Sequence, residues 1–417
     1  MTESPRVTDI LQRIRDLQFE DRSAAEALLL SFVRENLPFD TESVELRPLA
    51  VSLNSFNGFL TLADGTRLFF KTHTESNTVI DEYYNARSLD EAGYETLQPK
   101  YSSIDVGRQL LVYDVIHDPT VFDVAWRIET GDDTGFEGLQ AAQEAADQDL
   151  SRIYAATLAW QSADDAAHAP VHQLFHHRIA GGRLDEFYGP ATTISLPDRT
   201  LPVAELRSLR WSINDAHYND TLDELIARAD RLLRPTQAGP SIVGHGDAHN
   251  GNVFIREAER ELFYFDPAFA GRHHPLLDLT KPLFHNVFAM WMYYPEDIAA
   301  RTAISMKVTD DRIQVEHDYD LPSIRHMFLR SKVEHSVIPV LRDLADRAWL
   351  PVDWRAYLKA SLMCCPLLTM NLTDTAKFLP SISLLGMAFV VEMGAESSGQ
   401  RSLIDRTLDE VEAALGH

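Results

Sequence analysis

The stretch "VGHGDAHNGNVFI", residues 243–255, decides how this chain is read. Two apolar runs flank a polar loop, and that loop places His245, Asp247, His249, Asn250 and Asn252 within eight residues. The chain continues as "REAERELFYFDP", residues 256–267, a charged turn followed by a second apolar run that ends at Asp266. The alternation predicts a hairpin of "NVFI" against "ELFYF". Asp247 and Asn252 precede its first strand and Asp266 ends its second, so the hairpin gathers three oxygen-bearing side chains at one end. Hard oxygen donors of this kind suit Mg²⁺, which commonly shares substrate phosphates. Asp247, five residues before Asn252, can face another way and orient or deprotonate a hydroxyl. Gly246 and Gly251 permit backbone geometry that bulkier residues resist.

Working outward, residues 5–36 carry apolar groups at helical spacing and predict two short helices. Residues 43–72 then read as strand, loop, strand, Asp64-Gly65 turn, strand. "NTVIDEYYNARSLDEAGY" returns to helical spacing and stops at Gly93, and "RQLLVYDVIHD" is strand-like. Residues 43–117 therefore predict a small, mostly antiparallel sheet crossed by one helix. Beyond 121 the pattern is mainly helical, with helices expected at 148–161 and 220–234. Residues 176–202 read as irregular, and nearly everything after 276 as helix or loop. Residues 129–149 hold seven acidic groups and no basic one, which predicts a solvated excursion leading into a helix.

At 417 residues, two lobes are the better expectation. A net charge of −25 argues against a nucleic-acid or anionic-membrane partner and favours a cationic small molecule, although solubility alone accounts for it. Cys364 and Cys365 are adjacent in an apolar run, so neither a disulfide framework nor a cysteine zinc site is expected. The N-terminal stretch has no signal-peptide pattern, and 379–394, interrupted by Pro380 and Glu392, reads as a buried helix rather than a membrane span. Together these features predict a cytoplasmic setting.

The spacing H-x-D-x-x-x-x-N followed by a strand-end Asp is similar to the catalytic loop and metal-binding Asp of the protein-kinase-like fold. The fuller pattern runs through His245, Gly246, Asp247, His249 and Asn252, then Asp266, Gly271, Pro275, Asp278 and Leu279. It resembles the aminoglycoside phosphotransferase and choline kinase family. The resemblance implies an α+β, two-lobed fold. A small antiparallel-sheet N-lobe, preceded by the two helices, would occupy residues 1–117, and a mainly helical C-lobe residues 118–417. It implies ATP and Mg²⁺, with transfer of the γ-phosphoryl group to a hydroxyl of a small sugar, amino sugar, aminoglycoside or amino alcohol. Asp247 would be the catalytic base, Asn252 and Asp266 the metal ligands, and His245 and His249 supports of the loop. Lys71, the only lysine in the first 99 residues, would pair the nucleotide phosphates and be held by Glu82, with Glu75 and Asp81 as the alternative partners. No G-x-G-x-x-G occurs, and Ser55, Asn57 and Gly58 in "LNSFNGF" are the candidates for a shorter phosphate loop. Val115 and Ile116 would cover adenine. Acceptor contacts are expected from 172–190 and 209–220, where such enzymes vary, and the aromatic, Met-containing stretch 284–295 reads as core in preference to pocket. Two rival readings are a non-catalytic nucleotide-binding protein of the same fold and a metal-dependent hydrolase using His245, Asp247 and His249.

Overall fold

The computed structural model describes residues 8–47, 56–72, 82–103 and 110–416. They separate into two compact units. The first holds the described residues up to Glu91, Glu95–Asp118 and Asp266–Ala268; the second holds the remainder.

In the first unit the helical spacing near the N-terminus produces α1 (Thr8–Glu20) and α2 (Arg22–Asn36). Asp21 caps α2 by accepting from the Ala24 amide at 3.1 Å, satisfying one of the helix's orphan donors. Leu11, Ile14, Ala25, Leu29, Phe32 and Val33 face an apolar cluster that includes Leu46, Phe56, Leu60, Leu68, Phe70 and Val112. Apart from Phe56, which immediately precedes β2, those last residues come from a sheet of β1 (Thr41–Leu46), β2 (Asn57–Leu62), β3 (Arg67–Thr72), β4 (Tyr101–Ser103) and β5 (Leu110–Asp114). Its order is β1-β2-β3-β5-β4 and every pairing is antiparallel. The Asp64-Gly65 turn joins β2 to β3, with the Thr66 amide on Asp64 Oδ1 at 2.8 Å. Helix α3 (Glu82–Ala92) stops at Gly93, whose φ of 103° is the left-handed stop that its sequence position suggested.

The second unit is mainly helical. Helix Pro275–His285 is buried along its whole length, and the mostly buried helices Trp354–Leu368 and Pro380–Gly394 pack against one another. No helix among the described residues is long and apolar enough to cross a membrane. A small antiparallel-sheet unit and a mainly helical one are thus the two parts of the α+β architecture expected of a protein-kinase-like chain.

Four expectations need correction. The helix expected at 148–161 begins at Phe136 and ends at Thr157, and Ala159–Gln161 is a strand paired with Gly239–Gly244. Residues 176–202 form two short helices and a hairpin, Thr193–Leu196 against Arg199–Pro202. After residue 276 the chain is not all helix and loop: Ile304–Val308 and Arg312–His317 join Arg210–Ile213, Ala216–Tyr218 and Ser397–Gly399 in a five-stranded sheet. The strands are only three to six residues long; Arg312–His317 with Arg210–Ile213 and Ala216–Tyr218 with Ser397–Gly399 pair across long chain separations, whereas the hairpins within 193–202, 210–218 and 304–317 are local and were overlooked. The acidic segment is not wholly solvated either. The side chain of Glu129 is 1% exposed and bonds Arg325 at 2.8 Å, and buried Asp147 pairs with Lys332 and accepts from Ser331 at 2.7 Å.

Candidate functional site

Strand Gly239–Gly244 lies between Gly271–His273 and Ala159–Gln161 and delivers the chain into the His245–Asn252 loop. The loop turns at Gly246. Its φ is +80°, and a Cβ there would lie 2.4 Å from the Phe269 carbonyl oxygen, so both conformation and space require glycine. The Gly246 amide donates to Asp278 Oδ1 at 2.5 Å. Asp278, buried in the first turn of helix Pro275–His285, also accepts from His273 Nε2 at 3.0 Å and from the Tyr154 hydroxyl. Burial opposes its ionisation, but these donors outweigh burial and its pKa lies below the ordinary aspartate value. The N-cap of that helix is His274, so Asp278 acts as an anchor for the loop and not as a cap.

His245 spans the loop. Its Nε2 donates to the Phe265 carbonyl at 3.0 Å, which leaves Nδ1 to accept from the Asp247 amide at 3.4 Å. Both ring nitrogens are occupied by backbone, which is incompatible with the metal-ligand role of the hydrolase reading. His249 Nδ1 accepts from the Gly251 amide at 3.1 Å and caps the short turn Asn250–Asn252. Asn252 donates Nδ2 to the Asp247 carbonyl at 3.0 Å, and its own carbonyl accepts from Phe265 at 2.9 Å. With Nδ2 committed, Oδ1 is the atom Asn252 has to offer a cation. Strand Val253–Arg256 pairs with Glu261–Tyr264 as expected, and Asp266 follows two residues later.

The Asp247 carboxylate is mostly buried. Lys281 Nζ lies 3.8 Å from Oδ1 and His249 Nε2 lies 4.0 Å from Oδ2. Oδ1 accepts no hydrogen bond among the described residues. Burial alone would raise the pKa, but the positive charge of Lys281 first, with the His249 ring, the charge of Arg178 and the His245 ring, more than offsets it and holds Asp247 below the ordinary value. An ionised, buried oxygen without a donor is ready to accept a proton or a hydroxyl hydrogen. Lys281 Nζ also lies 3.4 Å from His285 Nε2, and Tyr293 bonds His285 Nδ1 at 2.8 Å. Burial first, then the positive charge of Lys281, keeps His285 neutral by lowering its pKa well below the usual histidine range.

Sequence reasoning missed Lys281 and singled out none of Arg178, His285 and Tyr293, although these lie within the stretches 172–190 and 284–295. The scarcity of lysine, which singled out Lys71, applies equally to Lys281, since the chain has only seven. Nothing in the local pattern links either Arg178 or Tyr293 to Asp247.

In the first unit Lys71 sits on β3 with Nζ 2.5 Å from Asp266 Oδ1, and both side chains are partly buried. Asp266 has φ +58°, an uncommon conformation for a residue other than glycine. Asn85 of α3 donates to the Pro267 carbonyl at 3.2 Å and ties the helix to this segment. Asn57 is the ladder partner of Lys71. Asn57 and Gly58 open β2 instead of lying in the preceding loop, and a Cβ at Gly58 would lie 2.0 Å from the Glu45 carbonyl oxygen. Gly58 is therefore demanded by the close approach of β1. Ser55, Glu75, Asp81 and the side chain of Glu82 lie outside the described residues, although Glu82 opens α3. Val115 and Ile116 follow β5 and are half-buried.

Residues 134–304 match the phosphotransferase enzyme family, APH. That segment contains the whole His245–Leu279 pattern on which the family resemblance rests. Among solved structures, macrolide 2'-phosphotransferase MphH from Brachybacterium faecium is 12% identical, with 88% of this chain and 98% of that one covered and a TM-score of 0.37. A thermostable mutant of aminoglycoside phosphotransferase APH(4)-Ia, in ternary complex with AMP-PNP and hygromycin B, is 10% identical over 88% and 98%, with a TM-score of 0.46. Plasmodium vivax ethanolamine kinase is 8% identical over 99% and 95%, with a TM-score of 0.37. No curated protein matches the chain.

Proposed function

We propose that this phosphotransferase-family chain is an ATP- and Mg²⁺-dependent small-molecule kinase of the cytoplasm, with a hydroxyl as acceptor. The observation that carries the reading is Asp247: ionised, buried, without a donor on Oδ1, and placed on a loop fixed through Gly246 and His245. In this reading Asp247 Oδ1 accepts the hydrogen of the acceptor hydroxyl and aligns its oxygen for attack on the γ-phosphorus. Lys71 binds the nucleotide phosphates and Glu82 steadies it. Asn57 and Gly58, with Ser55, edge the phosphates, and Val115 and Ile116 flank the base. Asn252 and Asp266 are the ligands of Mg²⁺, and their oxygen chemistry fits that ion. Bound Mg²⁺ would neutralise charge on the phosphates, and catalysis is otherwise positioning. His245, His249 and Asp278 keep Asp247 in place.

The test separates chemistry from binding. Asp247→Asn should retain Mg-ATP affinity while kcat falls by roughly 10²-fold or more, the usual scale of a general base. Asp266→Asn should lose both. Calorimetry and ADP release over a panel of small hydroxyl compounds measure each quantity. A folded Asp247→Asn protein with undiminished turnover would overturn the assignment.

A further inference from the structure

The stretch 172–190 contains two arginines that the proposed reaction does not use. Arg178 lies on the short helix His176–Ala180, and Arg183 opens the helix Arg183–Tyr188. Both donate Nη1 to one atom, the Leu368 carbonyl oxygen, at 3.4 and 3.3 Å. Leu368 ends the buried helix Trp354–Leu368, whose C-terminus offers about half a negative charge. Two full positive charges therefore converge on a partial negative one. Neither arginine has an ion-pair partner among the described residues; Arg325 and Arg355 are paired with Glu129 and Glu396, and Arg272 and Arg312, which also lack a carboxylate, each stand alone on their carbonyl and hydroxyl acceptors, whereas Arg178 and Arg183 share a single one. The carboxylate whose charge reaches Arg178 is Asp247, which already has Lys281 at 3.8 Å and His249 at 4.0 Å. The wall around Asp247 thus carries surplus positive charge.

Resting on the kinase reading, we propose that the acceptor bears an oxyanionic group and that Arg178 and Arg183 bind it while Asp247 orients its hydroxyl. Guanidinium forks match carboxylate and phosphate oxygens, and ammonium groups are repelled by them. The acceptor is then a hydroxy acid or a sugar phosphate, and polyamine antibiotics are disfavoured by the local field. Capping of the Leu368 helix end accounts for one cation, whereas a second, like-charged one beside it implies a counter-charge brought by a ligand.

The experiment keeps the nucleotide site filled with Mg-AMP-PNP and compares wild type, R178M/R183M and R178K/R183K. Melting temperature is read with inorganic sulfate and with chloride at equal ionic strength. Calorimetric titration follows with gluconate, glucose 6-phosphate, glucose and glucosamine. Sulfate should raise the wild-type melting temperature more than that of R178M/R183M, and R178K/R183K should keep part of the response. Either gluconate or glucose 6-phosphate, according to the anion used, should bind at least about tenfold more tightly than glucosamine, with the margin lost in R178M/R183M. Equal sulfate responses in wild type and R178M/R183M would overturn the inference whichever sugars bind, as would tighter binding of glucosamine. Affinity for Mg-AMP-PNP itself, measured in all three proteins, judges the kinase reading separately.

Discussion

Asp278 provides the sharpest test of how the loop is held. Its carboxylate receives the Gly246 amide, His273 Nε2 and the Tyr154 hydroxyl, and the residue is 2% exposed. Asp278→Ala leaves three buried donors without an acceptor. Each orphaned group costs about 1–3 kcal/mol, and water entering the space left by the carboxylate recovers part of that. The expected loss is about 3–5 kcal/mol, a large part of the ~5–15 kcal/mol that holds a typical domain together. Asp278→Asn retains an acceptor oxygen but turns an amide donor toward donors, so about 1–2 kcal/mol is expected. Because the folded-state pKa of Asp278 is depressed, its stabilisation is fully present above the unfolded aspartate pKa and fades as pH falls through the folded value. The stability gap between wild type and Asp278→Asn should therefore narrow in acid. Urea unfolding at several pH values measures it. An Asp278→Ala protein as stable as wild type, or a gap that widens in acid, would refute the view that Asp278 anchors the loop as an ionised acceptor.

Three further outcomes follow from the same geometry. Lys281→Met removes a positive charge 3.8 Å from Asp247 Oδ1, so the Asp247 pKa should rise and the acid limb of kcat/KM should move to higher pH; an unmoved limb in the pH–rate profile counts against the coupling. Glu129→Gln should destabilise by roughly 3–5 kcal/mol because Arg325, 1% exposed, loses its carboxylate, whereas exposed Asp133→Asn should stay within about 0.5 kcal/mol; thermal melts that rank the two the other way would contradict the buried-pair assignment. Gly246→Ala should cost about 1–3 kcal/mol from its φ of +80° alone, with the clash against Phe269 added, and melting temperature reports it.

Legibility followed chain separation only in part, since the local hairpins within 193–202 and 304–317 were missed where their strands are short and lack a glycine turn. The Asp64-Gly65 and Val253–Tyr264 hairpins were readable because both strands and the turn lie within about twenty residues, where alternation and turn chemistry reinforce each other. The loop residues of 245–252 were readable for the same reason. Arg312–His317, paired in parallel with Arg210–Ile213 about a hundred residues away, left only a short alternating run. Asn57 and Gly58 were placed one element early because a strand start and a loop end look alike when one residue is glycine. Glu129 and Asp147 were read as solvated because their partners, Arg325 and Lys332, lie more than 180 residues further on. Composition describes an acidic run, and only tertiary structure pairs its members.

The same limit governs what net charge says about a ligand. A total of −25 describes the long-range field that a solute meets first, and salt screens that field within about 10 Å. The acceptor would be judged at shorter range, by charges that are partly buried and weakly screened. There Lys281 and Arg178 face the single carboxylate of Asp247, and Arg183 lies beside Arg178 on the same carbonyl. Burial strengthens each of these interactions relative to any surface pair. An acidic exterior and a positively charged acceptor wall are therefore compatible, and they act on different steps. The exterior slows the approach of an anion and leaves its binding free energy to be set at the wall. If Arg178 and Arg183 receive an oxyanion, raising ionic strength should speed its association while weakening the final complex, and stopped-flow rates with gluconate or glucose 6-phosphate over a salt series separate the two. A cationic acceptor requires the opposite sign for the association rate.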